Sequence, residues 1–144
     1  MIRTLVLALC LAAPAACVTS PGGSGDKLQE AVSFMVSTGQ HGEGVDIAET
    51  TATLDREIAA SPNDPYVLKV AAMTRISLAD NTSDPATRKK LRTEALAQLE
   101  KAASVAGPNA KPRKVTLNGM DMDIGFDDVE ELKQQLHAAM TADR

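Results

Sequence analysis

Two Asp-Pro steps, Asp64-Pro65 and Asp84-Pro85, constrain the middle of this chain more than any other feature. A residue before proline avoids the helical region, and proline inside a helix removes a hydrogen bond and clashes with the preceding turn. A regular helix therefore does not run through either step. The same pair makes a favourable helix start. Asp accepts from the unpaired N–H groups of the first turn, and Pro is at home in the first helical position. Ser61-Pro62 closes the segment ahead of the first step, and Gly107-Pro108-Asn109 closes the segment after the second. The punctuation thus cuts this region into three helices, about 45–60, 65–79 and 85–106.

Apolar spacing supports that division. Ile47, Thr51, Leu54 and Ile58 form one stripe, with Ala48, Ala52 and Ala59 beside it. The next helix carries Val67, Leu68, Val70, Ala71, Ala72, Met73, Ile76, Leu78 and Ala79. It is apolar on most sides and belongs at the centre of the fold. The helix after it starts polar, then turns Leu91, Ala95, Leu96, Leu99, Ala102 and Val105 or Ala106 to the core. Upstream, Leu28, Ala31, Val32, Met35 and Val36 predict a first helix over about 26–38. Asp26 and Gln29 are spaced as a capping box, and Gly39 is its stop signal.

After residue 112 the period changes to two. Arg113 to Leu117 and Met120 to Ile124 flank Asn118-Gly119, the strongest short hairpin signal. A two-residue turn sets Leu117 opposite Met120 and Val115 opposite Met122, giving one apolar face. Thr116 then faces Asp121, and Lys114 faces Asp123. An isolated hairpin is marginal in water, so its apolar face must dock on helices. A fifth helix follows, with Asp127 and Glu130 as a capping box and Val129, Leu132, Leu136 and Met140 as its buried stripe. The expected fold is mostly α: an antiparallel helix-hairpin array of about five helices with one β-hairpin near 113–124.

The N-terminus is of another kind. Arg3 precedes nine apolar residues, Leu5 to Ala13. That run is too short to span a bilayer and fits the core of a secretory signal over residues 1–16. Ala13-Pro14-Ala15 meets the small-x-small rule for ordinary cleavage. Pro14-Ala15-Ala16-Cys17 resembles the lipobox of bacterial lipoproteins, with Pro14 where that pattern prefers an aliphatic residue. Cys10 leaves with the signal, and a single thiol in an oxidising compartment calls for modification or pairing between chains. Val18 to Gly25 is a small-residue tether, completing residues 17–25. The resemblance implies lipid attachment at Cys17 and an anchored protein facing the periplasm. The alternative is a soluble exported protein.

Cleavage before Cys17 leaves 128 residues, one domain's worth, over a single helical unit at 26–144. The mature chain has fourteen basic and nineteen acidic side chains, a formal charge of −5. It has no Trp, one Tyr and two Phe. That balance excludes ordinary nucleic-acid binding, which needs positive charge and stacking rings.

Three stretches resemble tetratricopeptide repeats: TTATLDREIAASPNDP (50–65), DPYVLKVAAM (64–73) and EALAQLEKAASVAGP (94–108). Ala95, Leu99 and Ala102 hold the family's small, large, small spacing, and Leu68 and Ala72 its large and small positions. Glu57 stands where the family has a small residue, and Arg75 where it has an aromatic. The resemblance covers about 45–108, with 113–142 acting as a cap. It implies a protein- or peptide-binding helical surface without catalysis.

The sequence carries no strong catalytic or metal motif. Gly22 to Lys27 lacks phosphate-loop spacing. His41-Gly42-Glu43 lacks the cysteine pair that a zinc deaminase requires. His137 reads as a surface residue. Asp121, Asp123, Asp127 and Asp128 miss the calcium-loop pattern, because Leu132 occupies the position of the bidentate Glu. No cofactor or metal is expected.

Charge is segregated. Residues 86–114 carry +6 and 115–131 carry −6. Either these are solvated faces that neutralise each other, or the basic strip Arg88, Lys89 and Arg92 meets an acidic partner or anionic surface. Arg88 and Arg92, one turn apart, are spaced to share one carboxylate or phosphate. The expected function is a non-catalytic adaptor for another envelope protein or peptide. Two alternatives stay open: an exported enzyme or enzyme inhibitor with a site assembled in space, and a self-assembling structural protein.

Overall fold

The computed structural model describes residues 24–41, 44–117 and 119–142. The expected export signal and Cys17 lie outside them, as do Gly42, Glu43 and Asn118; of the expected tether at 17–25, residues 17–23 lie outside and Ser24 and Gly25 belong to α1. The elements are α1 (Ser24–His41), α2 (Ile47–Ala60), α3 (Pro65–Asp80), α4 (Pro85–Ala106), β1 (Arg113–Leu117), β2 (Met120–Ile124) and α5 (Val129–Ala142). The fold is mostly α with one antiparallel hairpin.

Both Asp-Pro steps start helices. Asp64 Oδ1 accepts from the backbone N–H groups of Tyr66 at 2.9 Å and Val67 at 3.2 Å. Asp84 Oδ2 accepts from the Thr87 N–H at 2.8 Å and from its hydroxyl. Asp46 caps α2 through Glu49 N–H at 3.0 Å. At Asp84 the Thr87 hydroxyl, then the Thr87 backbone N–H, hold the carboxyl below its ordinary range. A carboxyl lowered in the folded state stabilises fully above its unfolded value, and that stabilisation disappears as pH falls through the lowered value. Asp84→Ala is therefore expected to lower the thermal midpoint at about pH 7 and to differ much less from the parent at about pH 2. Equal differences at both pH values would refute an ionised cap.

α3 is the central helix, packed on α1, α2 and α4, most extensively on α4. Val67, Leu68, Val70, Ala71, Ala72, Leu78 and Ala79 are all buried. Ala72, Ala95, Leu99, Val129 and Leu136 join α3, α4 and α5 in one core cluster. The small residues let α3 and α4 approach closely. A second cluster packs Leu54 of α2 against Ala71, Leu78 and Ala79, with Leu91 of α4.

The hairpin has the expected register, Leu117 with Met120 and Val115 with Met122. Gly119 takes φ +78°, a conformation that favours glycine. Val115 and Ile124 are buried with Leu28, Ala31, Val32, Val67 and Val70, so β1 and α1 share the far side of α3. Gln29 Nε2 donates to the Thr116 carbonyl at 2.6 Å. Lys114 reaches diagonally to Asp121 at 3.5 Å, although Asp123 is its backbone partner. Met120, at the tip, is 65% exposed.

Three local expectations are corrected. α1 begins at Ser24 and runs through Gly39 to His41. Asp26 is thus inside the first turn and not its cap, and Gln29 serves the hairpin. A mid-helix glycine is disfavoured by about 1 kcal/mol, which the packing of α1 on α3 overrides. α5 begins at Val129, so Asp127 does not cap it. The Asp128 carbonyl accepts the first helical bond, from Leu132 N–H at 2.9 Å, which puts Asp128 in the capping position. Glu130 pairs instead with Lys133 at 2.8 Å. Finally, Val105 is 43% exposed and Ala106 half-buried.

Candidate functional site

α2 and α4 both lie against α3, and the space between them is a groove of about 630 Å³. Two stripes of α2 form one wall: Ile47, Thr51 and Asp55, with Ala48 and Ala52 beside them. Thr87, Lys90 and Leu91 of α4 form the other, and Thr82 and Asp84 close one end. Leu91 is buried in the core and supplies an apolar floor. The lining mixes apolar side chains with hydroxyl and charged groups, and concave sites between helices are a usual place for ligands to bind.

An ion cluster built around one buried guanidinium lies at the opposite end. Arg75 of α3 is 1% exposed. Its Nη2 donates to Asp55 Oδ1 at 2.5 Å and its Nε to Glu94 Oε2 at 3.1 Å. Lys90 Nζ lies 3.8 Å from Glu94 Oε1. The chain of charges Asp55, Arg75, Glu94, Lys90 therefore crosses from α2 to α4 by way of α3. Arg75 Nη1 is buried with no hydrogen-bond partner among the described residues.

Sequence reasoning took Arg75 as a departure from a repeat pattern and missed its partners. The signal was present. Leu68, Ala72, Arg75 and Ala79 lie on one stripe of α3, so a charge there had to be buried and paired. Lys69 was missed as well. It is 4% exposed, and its Nζ donates to the Gly125 carbonyl at 2.6 Å and to Asp128 Oδ1 at 2.5 Å.

Arg88 Nη2 donates to the Thr82 carbonyl at 2.8 Å, and Arg92 Nη2 pairs with Asp80 at 3.0 Å. Both guanidinium groups brace the turn between α3 and α4. Lys89 is exposed on α4. Of the two charged segments, Lys114 and Asp121 meet directly. Arg113 pairs with Asp64 at 3.2 Å and covers the Tyr66 ring at 4.9 Å.

Among the described residues, no three His, Cys, Asp or Glu side chains converge as a metal site, and no helix is long and apolar enough to cross a membrane. His137 is exposed on α5. A small pocket of about 60 Å³ lies between Thr38, Val45, Ser77 and Asn81, room for a few waters. No family model matches the chain, and no curated protein or solved structure is significantly similar to it.

Proposed function

We propose that this chain is a non-catalytic adaptor: a small exported lipoprotein, tethered through Cys17, that binds another envelope protein or peptide on its helical-hairpin surface. The observation that carries the binding half is the groove between α2 and α4, open to solvent and floored by Leu91. The acids and bases around it have structural partners: Asp55 with Arg75, Asp84 with the α4 N-terminus, Lys90 with Glu94. None of these is placed as a nucleophile beside a general base. The tetratricopeptide resemblance supports the same reading, since the short turns between α2, α3 and α4 make neighbouring helices antiparallel and small residues line their contacts.

The anchor half rests on the lipobox-like Pro14-Ala15-Ala16-Cys17 and the small-residue segment after it. Cys17→Ser is expected to move the full-length protein from the membrane fraction to the soluble exported fraction, with unchanged circular dichroism. A variant that still sediments with membranes would overturn the anchor.

A further inference from the structure

We infer that the groove between α2 and α4 takes an amphipathic helix of the partner protein, seated with its apolar stripe over Leu91 and a Lys or Arg side chain on Asp55. The inference rests on the adaptor reading and names the partner's chemistry.

Size comes first. The α2 wall runs from Ile47 to Asp55, nine residues, or about 12 Å over its eight steps of 1.5 Å. That is two helical turns, the span of an i, i+4, i+7 set of anchors. The α2 wall offers Ala48 and Ala52, both exposed. Methyl-sized walls let a third helix axis come within about 8–10 Å, the ordinary interaxial distance. The groove is partly open to solvent, which admits a segment of another chain.

Charge selects the polar anchor. Asp55 is 64% exposed at the side chain. Its Oδ1 is held by Arg75, while its Oδ2 has no hydrogen-bond partner among the described residues. The carboxylate is therefore fixed in orientation by a buried guanidinium and presents its second oxygen outward. The groove lining carries two carboxylates, Asp55 and Asp84, against one ammonium, Lys90. An incoming anion meets more negative than positive charge. An incoming cation meets an acceptor that needs no reordering, and such preorganisation favours binding.

The test is in-cell photocrosslinking of the full-length chain, with a benzophenone amino acid at Ala48 in the groove and, separately, at Lys101 outside it. Cross-linked peptides are mapped by mass spectrometry. The expected product at Ala48 is a single other protein, joined within an amphipathic helical segment that has a Lys or Arg within about one turn of the joined residue. Ala52→Arg, at an exposed position that leaves the core untouched, is expected to lower its yield about tenfold. Asp55→Asn keeps an acceptor for Arg75 and is expected to lower the yield severalfold. Circular dichroism of each variant confirms folding.

A product with a second copy of this chain, with an acidic or extended segment, or with a yield unchanged by Ala52→Arg overturns the inference. A partner captured at Lys101 but not at Ala48 overturns the groove assignment and leaves the adaptor reading standing. No partner at either position, with the protein folded and exported, overturns both.

Discussion

Asp55→Ala combined with Glu94→Ala is expected to destabilise the folded chain by about 3 kcal/mol, far more than Arg75→Met does. The two experiments remove the same ion cluster from opposite sides. Deleting the carboxylates leaves the Arg75 guanidinium charged and 1% exposed, with no acceptor for Nη2 or Nε. An uncompensated buried charge is among the costliest defects a core can carry. Deleting the guanidinium instead leaves two carboxylates that water can reach, since the Asp55 and Glu94 side chains are 64% and 34% exposed. Methionine fills much of the Arg75 volume and removes Nη1, which already lacks a partner. Arg75→Met is thus expected to shift stability by about 1 kcal/mol or less.

The decisive variant is the triple, Arg75→Met with Asp55→Ala and Glu94→Ala. Groups that act as one network are not additive. Adding Arg75→Met to the double variant should restore about 2 kcal/mol in urea or thermal unfolding, because it removes the stranded charge. A triple variant less stable than the double would show that Arg75 stabilises through packing and not through its ion pairs.

The elements of this fold are legible because local chemistry and global packing agree. Asp64-Pro65, Asp84-Pro85 and Gly107 start and stop helices by backbone rules that act within a few residues. The hairpin register follows from Asn118-Gly119 and the two-residue period, and the paired residues are the expected ones. What is not legible depends on distant partners. Lys69 and Arg75 look like interruptions in an apolar helix until Asp128, 59 residues away, and Glu94, 19 away, are brought beside them.

The same reason explains the misplaced α5 cap. Asp127 and Asp128 are equivalent by composition; Asp128 takes the position before the helix, and its carboxylate accepts from the distant Lys69. Arg88 and Arg92 lie one turn apart, and spacing alone does not give the Thr82 carbonyl and Asp80 that they meet at the preceding turn. The groove is a gap between two helices set by their distances from a third. No residue in the sequence encodes it by itself.

Lys69→Ala is expected to loosen the C-terminal unit before it unfolds the rest. Lys69 Nζ joins the middle of the chain to its end: it donates to the Gly125 carbonyl and to Asp128, and lies 6.0 Å from the Phe126 ring centre. Those three acceptors occupy the link between β2 and α5, so one side chain fixes where the hairpin stops and the last helix begins. Tyr66 adds a second tie, donating to the Lys111 carbonyl at 2.6 Å and meeting Phe126 edge-on at 5.2 Å.

Removing Lys69 strands the Gly125 carbonyl and frees Asp128, whose side chain is 50% exposed and rehydrates readily. The expected loss is about 2–3 kcal/mol, from the buried alkyl chain together with the two charge-assisted bonds. Lys69→Met returns the packing but not the bonds and should recover about half of it. Hydrogen exchange locates the damage. Amides of α5 and β2 should lose protection more than those of α3 and α4, because they open as a unit once their tie is cut. Equal loss of protection in all helices would mean that the chain opens as one cooperative body, with Lys69 contributing to its core and not to a joint.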